Sequence, residues 1–361
     1  MARRTLMHVG PSVGNLDVQI SSVVPDVGFA SPEFVGWMAN ALEGARYVMG
    51  VSRNYSSFVL PYSGTGAMES VTSLLRKGER VLVASNGVFG DRWEGILSRY
   101  PVRYKFLRSE PGKAVSVQEI DRELQNGYDV FITTHVETST GVRMPIEEVS
   151  KVVRDRVSLI VVDGVASVGG EAVSAEDWKV DVFFTASQKA VGAQPGTSLM
   201  VCSGRAMERL GGESMAPFYL DLRNWKPIMD GMETGIGGYF ATPPVGAVAS
   251  LSRAMDLIRN EGMKERVRRH ERVASIIREG VEEMGLRVLA EEGLRSNTVT
   301  AVLLDREGAG EIVKRSMELG IEFATGPHPA LRDRYFRIGH MGWVQEKDAF
   351  AALSVLRRVV S

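Results

Sequence analysis

The segment VDVFFTASQKAVG, residues 180–192, passes from a continuous apolar run into a lysine set among small and polar residues. A strand without inside–outside alternation is covered on both faces, the condition of a parallel sheet packed between helices. Four further runs share this character: RVLVAS (80–85), DVFITT (129–134), SLIVV (158–162) and TSLMVC (197–202). Segments of helical period lie between them. In SVQEIDRELQN, Ser116 and Glu119 have capping-box spacing, and Ile120 and Leu124 share a face. The alternation predicts an α/β fold: a mostly parallel large-domain sheet with helices on both faces.

After TPPV (242–245) the character changes. Two long helical patterns follow, VGAVASLSRAMDLIRNEG and the highly charged MKERVRRHERVASIIREGVEEMG. Strands near 286–290 and 297–303, a helix at about 308–319, a strand around 334–338 and a last helix from about 346 predict a smaller C-terminal α+β domain. The expected boundary lies near 245, giving a large domain over 15–245 and a small one over 246–361.

The 361 residues carry 43 Lys and Arg against 44 Asp and Glu, a formal net charge of -1. No global field therefore draws the chain to nucleic acid or to an anionic membrane, and neither is an expected partner. The single cysteine, Cys202, excludes an internal disulfide framework and fits a reducing compartment. MARRTLMHVGPSVGN lacks the apolar core of a signal peptide, and no run approaches the roughly 18 apolar residues of a membrane span. A cytoplasmic enzyme is expected. The five histidines are scattered without ligand spacing, so no metal site is expected.

Ligands of open parallel sheets bind beyond the carboxyl ends of the strands. Lys189 lies there, where partial burial favours the neutral amine that forms Schiff bases. A lysine in such a loop is also commonly an ordinary surface residue. Asp163 ends another strand run, 26 residues earlier. Alone it reads equally as a turn acid; beside a strand-end lysine it completes the pair needed by a protonated pyridine that bears an aldehyde. SGTGAMESVTSLL (63–75) reads as a glycine turn opening a helix, where Ser63, Gly64, Thr65 and Gly66 can hold a phosphate or simply start the helix. Glu69 replaces the third glycine of a dinucleotide fingerprint, and no P-loop Gly-Lys-Ser/Thr follows. Phe89, between glycines, is either a stacking plate or part of a local apolar cluster. The loop HVETSTGV (135–142) says little by itself. Arg337 can grip a carboxylate with its planar fork, although most arginines are surface residues.

In order, SGTGAME, NGVFGDRW, HVETSTGV, DGVASVGG and SQKAVGAQPGTS resemble the successive signatures of the class V, fold-type I pyridoxal-phosphate enzymes. The likeness is greatest to the alanine–glyoxylate and serine–pyruvate aminotransferase branch and runs from about residue 8 to residue 342. It implies a ping-pong aminotransferase that moves an amino group from serine or alanine to pyruvate or glyoxylate. By this resemblance Lys189 bonds the cofactor aldehyde, Asp163 faces the pyridine nitrogen and Phe89 stacks on the ring. Thr138 and Gln188 lie near the ring and its hydroxyl, while Gly64 and Thr65 bind the phosphate. The resemblance further implies a homodimer with shared active sites, Tyr239 and Thr242 of GGYFATPP (237–244) completing the neighbour's phosphate site. Arg337 matches the arginine that binds the substrate carboxylate, and residues 1–14 form an N-terminal segment near the active site. Two departures touch the substrate side: Phe29 stands where the family commonly has His, and VGPSVGN lacks the usual Gly-Pro-Gly-Pro form. Phosphonate or phosphoserine aminotransferases and a cysteine desulfurase-like lyase remain alternatives within the family. A nicotinamide-dependent oxidoreductase and a non-catalytic binding module are alternatives outside it.

Overall fold

A computed structural model describes residues 4–12, 14–24 and 27–360. Its larger sheet has seven strands: β1 (Ser56–Leu60), β2 (Arg80–Ser85), β3 (Arg103–Arg108), β4 (Val130–Thr134), β5 (Leu159–Asp163), β6 (Val182–Ala186) and β7 (Ser198–Cys202). Their spatial order is β1-β7-β6-β5-β4-β2-β3. All neighbours pair parallel except β7, which is antiparallel to both β1 and β6. The five apolar runs in the sequence are the five interior strands, buried through nearly every residue.

The two edge strands have no such signal. RYKFLR at β3 alternates charged and apolar side chains and keeps the charged ones toward water, and SSFVL at β1 opens on two serines. Edge strands are commonly blunted by charge, which removes the continuous apolar run used to recognise them.

Helices α1 (Pro32–Met49), α2 (Gly64–Ser70), α3 (Val88–Leu97) and α4 (Val245–Glu261) belong with this sheet. Ser31 caps α1 by accepting from the Phe34 amide, with Pro32 at the first helical position. α4 lies against α1 so closely that a Cβ on Gly44 would come 2.4 Å from Met255 Cγ. The capping box of Ser116 and Glu119 forms as its spacing predicts.

A second core is built on α5 (Met263–Glu283), α6 (Ala309–Glu318), α7 (Glu346–Val360) and an antiparallel sheet. That sheet contains β8 (Arg287–Val288), β9 (Val299–Leu303), β10 (Ala324–Thr325) and β11 (Tyr335–Gly339), in the order β8-β9-β11-β10. The boundary expected near 245 falls at the start of α4, whose Val248, Leu251, Met255 and Ile258 join the first core. Packing passes from the first core to the second along α5, whose Met263 still packs on the first and whose Val273, Ile277 and Val281 belong to the second. Composition cannot mark this point, because α4 and α5 are both helical and only their partners differ. Near the N-terminus, Thr5–Leu6 pairs with Ile321–Glu322 of the second body before the chain crosses to the first.

One side chain joins the two cores. Arg266 of α5 is fully buried; its Nε donates to Gly169 O (2.9 Å), its Nη2 to Ala190 O (2.8 Å) and its Nη1 to Glu261 (2.7 Å). The guanidinium also lies 4.3 Å from the centre of the Trp343 ring. Removing one partner of a buried pair strands the other charge and carbonyls. Arg266→Met is therefore expected to lower unfolding stability by about 3–5 kcal/mol, measurable by chemical denaturation. A loss under about 1 kcal/mol would show that the junction does not need the guanidinium.

Candidate active site

Parallel strands end on one edge of a sheet, and the chemistry-bearing residues collect there. Asp163 is the last residue of β5, paired in register with Thr134 of β4 and Phe184 of β6. Lys189 follows β6 by three residues. A cavity of about 210 Å³ opens at this edge, lined by Ser63, Gly64, Thr65, Phe89, Thr138, Asp163, Gln188 and Lys189. Met68, Arg92, Thr134, Val136, Val165 and Ala166 complete the lining. The amine and the carboxylate thus face one space.

The loop carrying Lys189 is held from several directions. Its Nζ donates to Val9 O at 2.5 Å. Ser12 N donates to Gln188 O (2.9 Å) and Ser12 Oγ to Lys189 O (2.5 Å), while Arg266 takes Ala190 O. At Gly10 the backbone runs so near that a Cβ would stand 2.7 Å from Lys189 Cδ. Burial, and after it the Arg337 charge, lower the lysine pKa against the opposing pull of Asp163, leaving it at about 8. A minor but accessible fraction of the amine is therefore neutral near neutral pH.

Asp163 shifts in the opposite sense. Burial, with a smaller push from Glu137, raises its pKa to about 7 against the 2.8 Å bond that the Val165 amide donates to Oδ1. The Phe89 plate is fixed by that same Glu137. One of its oxygens accepts from the amides of Phe89 (3.1 Å) and Gly90 (3.0 Å) in the first turn of α3, the other from Ser139 N and Oγ. Gly87 has no side chain with which to cap α3, so a buried carboxylate from the 135–142 loop does so from a distance. His135 of that loop stays neutral, its pKa lowered by burial to about 3, and packs against Trp178 and Phe183.

Five expected site residues lie outside the lining. Gly66 packs against the Tyr62 ring. Phe29 and Tyr239 pack on one another with tilted rings 5.0 Å apart, and Tyr239 and Thr242 are exposed. Arg337 on β11 is buried, with Nε and Nη2 donating to Thr325 O and Nη1 to Thr138 O (3.2 Å), which fastens it to the cavity rim. Thr134 was within reach of sequence reasoning, since it ends its strand as Asp163 does. Glu137 and the Val9 carbonyl gave no local signal: one acts across the fold and the other is backbone.

The aminotransferase class-V family model matches residues 32–343. The chain is 33% identical to alanine–glyoxylate aminotransferase 1 of Saccharomyces cerevisiae, covering 94% of this chain and 92% of that one. It is 31% identical to the L-aspartate–glyoxylate aminotransferase of Paracoccus denitrificans, covering 97% and 90% respectively. The crystal structure of alanine–glyoxylate aminotransferase from Nostoc sp. superposes with a TM-score of 0.93 at 27% identity, covering all of this chain and 96% of that one.

The Asp163 shift has a consequence for stability. The unfolded carboxyl releases its proton near pH 4 and the folded one only near 7, so burying Asp163 destabilises the ligand-free protein increasingly as pH rises between those values. Ligand-free Asp163→Asn should unfold with a free energy of the order of 2–4 kcal/mol above the parent at pH 8, the gap closing toward pH 4. Glu171, also raised to about 7, is common to both proteins and cancels. A gap independent of pH would contradict the assignment.

Proposed function

The chain belongs to the class-V aminotransferase family, and from that membership we propose that it binds pyridoxal 5'-phosphate between Asp163 and Lys189. The proposed reaction transfers the amino group of alanine or serine to glyoxylate or pyruvate. Glyoxylate is the first choice of acceptor, since relatives named for two different donors share it.

The residues present fit this cofactor. An acid, an amine and an aromatic ring line one cavity, and two lining atoms, Thr134 Oγ1 and Gln188 Oε1, are buried without a hydrogen-bond partner among the described residues. Such orphans are uncommon unless a ligand completes them. When bound, pyridoxal phosphate supplies an aldehyde that takes the amino group and a ring that accepts the electron pair left on the substrate Cα. Asp163 holds a proton on the ring nitrogen, because a positive partner restores the charge that burial otherwise suppresses. Phe89 covers the ring, and Ser63, Gly64 and Thr65 receive the phosphate. With the cofactor bound, Lys189 would serve as the base that takes the proton from Cα. Arg337 keeps one further N–H on each terminal nitrogen after its three backbone bonds, a pair suited to the substrate carboxylate.

A homodimer is part of the proposal, with Tyr239 and Thr242 of each chain completing the phosphate site of the other. Exposed apolar side chains beside that segment, Phe218, Ile236 and Tyr239, support it. A cytoplasmic location belongs with it, supported by a lone buried cysteine; among the described residues no helix is long and apolar enough to cross a membrane. Desulfurase chemistry is disfavoured, since it needs a thiol on a loop. Cys202 is fully buried at the end of β7, where burial pushes its thiol up.

The test is a half-reaction. Protein loaded with pyridoxal phosphate is mixed with alanine, serine, aspartate or cysteine and no acceptor. Alanine or serine should discharge the aldehyde absorption band, and glyoxylate should restore it. A band that no amino acid discharges would contradict the reading.

A further inference from the structure

Resting on the cofactor site proposed above, we infer that Arg92 is the cation that binds the cofactor phosphate. Two lining side chains are cationic, Lys189 and Arg92, and the first is committed to the aldehyde. A phosphate monoester carries between one and two negative charges near neutral pH. Hydroxyls and amides spread that charge without neutralising it.

Arg92 is placed for the task. Its Nη1 donates to Thr65 Oγ1 at 2.7 Å, and its guanidinium carbon lies 4.8 Å from the centre of the Phe89 ring. One cation therefore touches both the hydroxyl assigned to the phosphate and the plate assigned to the ring. Its charge also reaches Asp163 and Lys189, lowering the pKa of each.

Neighbouring charges leave Arg92 available. On α3 its nearest acids in sequence are Asp91 and Glu94. Both are taken by Arg108 of the edge strand β3, whose Nε meets Asp91 at 2.8 Å and whose Nη2 meets Glu94 at 2.6 Å. Among the described residues Arg92 forms no ion pair, although ten or more of its fellow arginines do. A hydroxyl and an aromatic face hold it in place without neutralising it. An incoming dianion then meets an unpaired cation and displaces no carboxylate.

A purely mechanical role, in which Arg92 only props the Phe89 ring, predicts something different. The two are separated by ligands with and without phosphate. Native, Arg92→Ala and Arg92→Lys proteins, freed of ligand, are titrated with pyridoxal phosphate and with pyridoxal, and binding is followed by the aldehyde absorbance. Arg92 is exposed, so its truncation leaves the core intact. Arg92→Ala should weaken pyridoxal phosphate about 10- to 100-fold while leaving pyridoxal nearly unchanged, and Arg92→Lys should recover part of the loss. Equal affinity of native and Arg92→Ala for pyridoxal phosphate overturns the assignment. So does an equal loss for both aldehydes, which would make Arg92 a support for the ring alone. If native protein takes up neither aldehyde, the cofactor reading fails and this assignment goes with it.

Discussion

The arrangement depends on one constraint: the loop after β6 is pinned at the carboxyl edge of the sheet by bonds from distant parts of the chain. Val9 O receives the amine, Ser12 holds the carbonyls before and after it, and Arg266 takes the next carbonyl while reaching back to Glu261. Each contact made on the loop itself uses backbone on at least one side, so the lysine is located by geometry rather than by its own preference. Because Arg266 belongs to α5 and Val9 to the segment that begins on the second body, the two cores meet at this loop. Loosening the junction should therefore reach the site as well as the stability of the fold.

The electrostatics follow from the placement. Both ends of the cavity are desolvated, and desolvation pushes an acid up and an amine down toward a common range, about 7 and about 8 here. In that range small changes of surroundings move protons, which is what acid–base chemistry near neutral pH needs. Glu137 adds a charge to the same field while its hydrogen bonds fix the start of α3 and with it the Phe89 ring. A loop that looked uninformative as sequence thus organises the plate, the capping of a helix and part of the potential at Asp163.

Much of this was legible in the residue order. Interior strands announce themselves because burial on both faces demands continuous apolar runs, and strand ends then point to Asp163 and Lys189. Edge strands were not legible, since β3 meets water and carries charge. The change of core along α5 was hidden because a helix does not encode its partner in its composition. Within the site, Ser63, Gly64, Thr65, Phe89, Thr138 and Gln188 were marked by their motifs and stand in the lining. Arg92 was within the quoted NGVFGDRW yet carried no distinguishing mark. Its availability depends on Arg108 occupying two acids across a strand–helix contact, a tertiary fact. Phe29 and Tyr239 pack on each other outside the lining of the cavity, a pairing no local pattern announces.

The proposed chemistry at this edge requires one covalent partner among the lysines of the chain. The most direct measurement is borohydride reduction of protein loaded with pyridoxal phosphate, followed by peptide mapping of the fixed label. The arrangement predicts a single stoichiometric label on Lys189, lost in Lys189→Ala. A label spread over surface lysines, or seated on any other single lysine, would contradict the account.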